Sequence, residues 1–144
     1  MALEPNPYLV CTSLLFVLPT TTTAYYRQWI PYSASIFLML ASSIYHATKY
    51  QPILIVDKIA CYYLTATNLY YAGQHGLIAV PVSASLYCLL VFYYGHYTRT
   101  FVFAEDKQEA LGWHISMHLV VMLAVLYGSI RIGIDSNTQK LMLP

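Results

Sequence analysis

An all-α fold, a polytopic membrane helix bundle of about five transmembrane helices forming a single domain over residues 1–144, is predicted by three observations. Of the 144 residues, 58% are hydrophobic and only 9% are charged, against about a quarter in ordinary soluble domains. A soluble domain of this size could not cover its surface with so few charges, whereas a bundle in lipid needs almost none on its outer face. The apolar residues also fall into five runs, each near the roughly 20 residues that cross about 30 Å of hydrocarbon. Finally, many of the 15 tyrosines stand at the ends of these runs, as in the aromatic belts of membrane interfaces.

Segment one is expected over about Tyr8–Tyr26. Pro19 and the threonines Thr20 to Thr23 interrupt it, which a membrane helix tolerates because threonine hydroxyls satisfy freed backbone groups. Arg27 and Gln28 make a polar turn, and segment two follows over about Trp29–Thr48. Lys49 to Pro52 form the next loop, with Pro52 suited to open segment three, where its missing N–H is no loss. Segment three ends near Ala72, before the turn Gly73-Gln-His-Gly76. Segment four covers about Leu77–Tyr97. Arg99 to Glu109 is the longest loop and the clearest water-exposed stretch, since it carries Glu105, Asp106, Lys107 and Glu109. Segment five covers about Ala110–Ile134 and leaves a short tail, polar at first. Tyr62 and Tyr63 lie deep in segment three and are expected to line the interior.

Composition also excludes partners. A net charge of +1 offers no basic face for nucleic acid, and no basic run is present to bind anionic headgroups. Cys11, Cys61 and Cys88 sit in apolar stretches and are expected to be small buried hydrophobes, not a disulfide framework. The N-terminus lacks the positive flank of a cleaved signal peptide, so segment one is expected to be retained. Orientation stays open: Lys49, Arg99 and Lys107 on one side balance Arg27, Arg131 and Lys140 on the other.

The residues that carry chemistry agree in depth. Alternating spans put the end of segment two, the start of segment three and the start of segment five on one side. His46, Asp57, His114 and His118 then all lie within roughly 6–12 Å of one interface, at 1.5 Å per residue. Ser42 and His46 are i, i+4 and share a helix face, as do His114 and His118. Asp57 heads a stripe with Cys61, Thr65 and Asn68 that is expected to face the bundle. It is the one carboxylate within an apolar run, and its insertion costs about 2.5–3.5 kcal/mol, which marks a functional candidate. An ion pair with Lys49 or Lys58 is the plainer explanation, but Lys58 points about 100° away on a helix.

Three imidazoles and a water suit zinc, which leaves a fourth position open for chemistry in its catalytic sites. A water bound there ionises near neutral pH and attacks a carbonyl. Asp57 is placed to move its proton to a leaving group, and Ser42 to hydrogen-bond the developing oxyanion. His75 falls on the opposite side, by the Gly73–Gly76 turn. His96 is near the correct side and is the reserve ligand; both are otherwise interfacial histidines at helix ends.

The order Ser42-x-x-x-His46, Asp57, His114-x-x-x-His118 resembles the CREST superfamily of membrane hydrolases, which includes alkaline ceramidases, Per1-type lipid-remodelling proteins and adiponectin receptors. Ser42-Ser-Ile-Tyr-His46, then ten residues and Asp57, is similar to the ceramidase and Per1 spacing. Trp113-His-Ile-Ser-Met-His-Leu119 is similar to the last-helix motif. The resemblance covers segments two, three and five. It implies zinc on His46, His114 and His118, with Ser42 and Asp57 assisting. The implied reaction is hydrolysis of an amide or ester bond in a membrane lipid, in the endoplasmic reticulum or Golgi. The family core has seven helices, so two between the Asp-bearing and HxxxH-bearing segments are missing. A shortened bundle can complete itself as a homo-oligomer or in a larger membrane complex. Two alternatives stand beside the hydrolase: a non-catalytic member of the same superfamily, and a small subunit whose histidines bind haem axially. A retinal protein is disfavoured, because segment five has no lysine for a Schiff base.

Overall fold

The computed structural model describes residues 5–142, with side chains through residue 138. The side chain of Lys140, counted above for orientation, lies outside them. Among the described residues every regular element is helical: α1 (Pro7–Leu14), α2 (Val17–Tyr25), α3 (Trp29–Thr48), α4 (Gln51–Gln74), α5 (Ala79–Leu89), a π-turn (Leu90–Tyr94), α6 (Gly95–Thr98), a 3-10 turn (Phe101–Phe103) and α7 (Lys107–Met142). They make up the five expected segments. Pro7–Tyr25, Ala79–Phe103 and Lys107–Thr138 are long and apolar enough to cross a membrane. Helices α3 and α4 have the length, 20 and 24 residues, with more polar groups along them.

The break in segment one follows from Pro19. Its ring nitrogen cannot donate to the carbonyl of Leu15 four residues earlier, and Leu15 O accepts instead from Leu18 N at 3.0 Å. The helix therefore parts at Leu15–Phe16, a turn before the proline. The threonines then serve as expected: Thr20, Thr21, Thr22 and Thr23 each donate to the carbonyl four residues back, at 2.7–2.9 Å.

Sharp ends keep the segments antiparallel. Helix α3 stops at Lys49 in the left-handed region (φ 53°), and Pro52 sits in the first turn of α4. Helix α4 closes with Gly76 at φ 69° and Leu77 N donating to Ala72 O at 2.8 Å, a Schellman-type cap that favours glycine. The stretch after segment four departs from expectation. Phe101 packs edge-on to Trp113 at 4.7 Å and Phe103 to Phe92 at 5.3 Å, so Phe101 to Ala104 are half-buried between exposed Arg99 and Thr100 and the exposed acidic half. Gly95 permits this fold-back, since a Cβ there would come within 2.7 Å of Thr100 O. Asp106 caps α7 by accepting from Gln108 N and Glu109 N at 2.7 and 2.8 Å. The tail is not a separate loop: α7 continues through it to Met142, because no proline or glycine stops the helix after Gly133.

The segments form a ring in which α1–α2 packs on α3, α3 on α4, α4 on α5, α5 on α7, and α7 again on α1–α2. Phe16, Leu38, Ala41, Leu64, Met122 and Val125 fill its centre. Lipid provides no hydrophobic drive between helices, so close packing must hold them. Small residues allow it: Ala34, Ser35, Ala41, Ser42 and Ala60 are all buried where α3 meets its neighbours. Helices α3 and α7 face each other across the ring.

Three expectations fail here. The buried face of α4 is Ala60, Leu64 and Thr67, one position away from the predicted stripe. Cys61 is exposed, Thr65 is half-buried, and Asn68 turns back onto Leu64 O at 2.8 Å. Tyr62 and Tyr63 do not line the interior: they are 58% and 40% exposed. Their hydroxyls are satisfied sideways, by Tyr93 at 2.6 Å and Ser33 at 3.1 Å. Nor are the cysteines core residues. Cys11 and Cys61 are exposed and Cys88 is half-buried, as a thiol is apolar enough to stand on an outward face.

Candidate metal centre

Across the ring, the last turns of α3 meet the first turns of α7 through their side chains. His46 comes from α3, and His114 and His118 from successive turns of α7. One ligand nitrogen from each lies within 4.8 Å of the other two. The ring centroids are 4.9 Å (His46–His114), 5.2 Å (His46–His118) and 5.1 Å (His114–His118) apart. Nitrogens bound tetrahedrally at about 2.0–2.1 Å stand roughly 3.4 Å apart, so small side-chain shifts close the triad on an ion. His46 is 1% exposed, and its Nε2 is buried without a partner. Such an orphan is costly, and a metal would satisfy it. The triad can hold a metal ion, and it is the one group of three or more potential ligands found among the described residues.

Ser42 and Asp57 are brought to the same end but not into the triad. Ser42, one turn before His46, is 4% exposed, with its Oγ 3.0 Å from Ser13 Oγ. The Asp57 carboxyl lies within electrostatic reach of Ser42, Lys49 and Lys58, and its Oδ1 is buried with no partner. Lys58 turns away over the Phe92 ring, 5.9 Å from its centre. His96 stays out: it is exposed and meets the Phe103 ring edge-on at 4.9 Å. His75 lies at the other end of the bundle, where Gln74, His75, Asp135 and Thr138 line a shallow pocket.

Three residues at the site went unassigned in the sequence. Thr12 Oγ1 lies 2.9 Å from His118 Nδ1. Ser13 is fully buried and bonded to Ser42. Both come from α1, whose start is tied to α3 by Asn6 N donating to His46 O at 3.1 Å. The depth argument reaches them, since α1 begins on the side where α3 ends, but hydroxyls in an apolar run carry no ligand signature. The third is Lys49, considered above only as a partner for Asp57. Its Nζ is 3.0 Å from His46 Nδ1. Burial lowers the Lys49 pKa from the usual lysine value, and the facing Asp57 opposes that shift.

On the far side of α7 from the triad, Ser116 bonds Tyr87 Oη of α5 at 2.6 Å, which fixes the rotation of the histidine-bearing turns. Comparison with protein-family models, curated proteins and solved structures finds no match to this chain.

Proposed function

We propose that this chain is a five-span membrane protein of the CREST type and a zinc-dependent hydrolase of an amide or ester bond in a membrane lipid. The convergence of three histidines from two facing helices, with the buried Ser42 hydroxyl one helical turn from His46 and the Asp57 carboxyl at the same end of the bundle, carries the reading. His46, His114 and His118 would hold the ion. When bound, it would supply a Lewis acid that activates water towards a carbonyl. The chain's own residues supply the rest. Asp57, with one oxygen free of partners, takes a proton and returns it to the leaving amine or alcohol. Ser42 Oγ, 3.0 Å from Ser13 Oγ, would rotate its proton from Ser13 to a developing oxyanion. The lipid-facing surface around the site holds the acyl chain. Haem is disfavoured, because a third imidazole packs against both members of any histidine pair at about 5 Å and leaves no slot for a macrocycle.

The test is release of fatty acid from ceramide or phospholipid in micelles by the purified protein, with zinc measured in parallel. Asp57→Asn is expected to keep its zinc and to lose about 10²–10⁴-fold in rate, the range of a general acid–base group. Zinc without turnover in the wild type would support the non-catalytic member of the family instead.

A further inference from the structure

Helix α1 brings a hydroxyl to the triad for which the proposed reaction has no use. Thr12 Oγ1 has two neighbours: the carbonyl of Leu9 at 3.1 Å and His118 Nδ1 at 2.9 Å. A hydroxyl has one proton and two lone pairs, and a carbonyl can only accept. The proton therefore goes to Leu9 O, and a lone pair is left facing His118. That lone pair needs a donor, which puts the imidazole proton on Nδ1. A neutral ring protonated at Nδ1 has its free electron pair on Nε2, which leaves that nitrogen as the one able to bind an ion. The scaffold behind Thr12 is fixed. Asn6 Oδ1 caps α1 by accepting from Tyr8 N and Leu9 N at 3.0 and 3.2 Å, and Asn6 N holds His46 O. Ser13, the next residue, is locked between Leu9 O and Ser42.

We propose that Thr12 is a positioning residue for the metal centre, holding His118 in the tautomer whose Nε2 can bind the ion. Hydrogen bonds from a ligand's second nitrogen set the tautomer and orientation of metal-binding histidines, and losing one costs about 10–100-fold in affinity. This rests on the reading of the triad as a metal site. It goes beyond that reading by giving segment one a function, and it predicts that the centre is incomplete without α1.

Two measurements on the purified full chain test it. The first is zinc affinity, by competition with a chromophoric chelator. Thr12→Val keeps the shape and removes the hydroxyl, and it is expected to weaken zinc by about 10–100-fold. Thr12→Ser restores the hydroxyl and is expected to bind within about threefold of wild type, which a purely steric role would not give. The second is nitrogen NMR of the histidine side chains in the metal-free protein. His118 is expected as the Nδ1–H tautomer, with that preference lost in Thr12→Val. Equal affinity in wild type and Thr12→Val, failure of serine to rescue, or His118 protonated on Nε2 would each overturn the proposal. A wild type that takes up no zinc overturns the metal reading alone, and the tautomer then still decides the role of Thr12. If Thr12→Val does not fold, the serine variant and the wild-type spectrum decide it.

Discussion

If the triad holds zinc as proposed, Lys49 competes with the ion, and replacing it should tighten the site. An ammonium has donors only, so a charged Lys49 bonded to His46 Nδ1 at 3.0 Å must find a lone pair there. The ring proton is then on Nε2, the atom buried without a partner. To bind a metal through Nε2, His46 must move its proton to Nδ1 and give up the lysine. A hydrogen bond to a charged group contributes about 1.5–3 kcal/mol. Lys49 is half-buried at the end of the bundle, and solvent screening reduces this to about 1–2 kcal/mol. Since about 1.4 kcal/mol is tenfold, Lys49→Met should raise zinc affinity roughly 5- to 30-fold. The assay is chelator competition at fixed pH, with His46→Ala as the control that removes the bond and the ligand together. Weaker binding in Lys49→Met would refute the reasoning. It would mean that the amine is neutral and accepts from Nδ1–H, supporting the ligand rather than competing for it.

Two further predictions concern the bundle. A Cβ on Gly133 would run into the ring of Tyr26, so Gly133→Ala is expected to destabilise the protein by about 1–3 kcal/mol. Thermal unfolding in detergent should show the loss, and Tyr26→Ala in the same chain should relieve it. If all five segments cross the membrane, Lys49 and Glu105 lie on one side and Arg27 and His75 on the other. Single cysteines at these positions, in a background without Cys11, Cys61 and Cys88, should label in those two groups with an impermeant reagent. Labelling of Lys49 and His75 from the same side would remove a span between them.

The ends of α3 and α4 were legible in the sequence because proline and glycine act locally. Pro52 opens a helix and Gly76 closes one whatever surrounds them. The triad was legible for a different reason: span parity fixes depth, and depth plus i, i+4 spacing leaves few ways for His46, His114 and His118 to avoid one another. Rotation was not legible. The stripe through Cys61 and the face through Ala60 differ by one residue, and in lipid both are apolar enough for either side. Packing chose Ala60 because a small residue lets α3 and α4 approach. The tyrosines misled for a related reason, since a polar tip asks only for a partner and Ser33 or Tyr93 on a neighbouring helix suffices. Lys49 was visible as a cation near Asp57. That it reaches His46 depends on the left-handed residue at the end of α3, which no side-chain pattern announces.

The triad also bears on how the ring is held. Helices α3 and α7 share few close backbone approaches, and at this end the three imidazoles span the gap between them. Without an ion, this contact consists of edge-to-face rings and an unpartnered Nε2, which is weak cement where lipid gives no hydrophobic drive. An ion would cross-link the two helices, and its binding energy would become folding energy. At a free ion concentration one hundred times Kd this amounts to about 2.7 kcal/mol, or roughly 5–10 °C in melting temperature for a chain of this size. A strong chelator should therefore lower the melting temperature of the wild type by that amount and leave His118→Ala, already without a full ligand set, almost unmoved. If the loaded and chelated proteins melt together although zinc is shown to bind, the ion is held by residues other than these three. The bridge between α3 and α7 would then be only the contact of the imidazole rings.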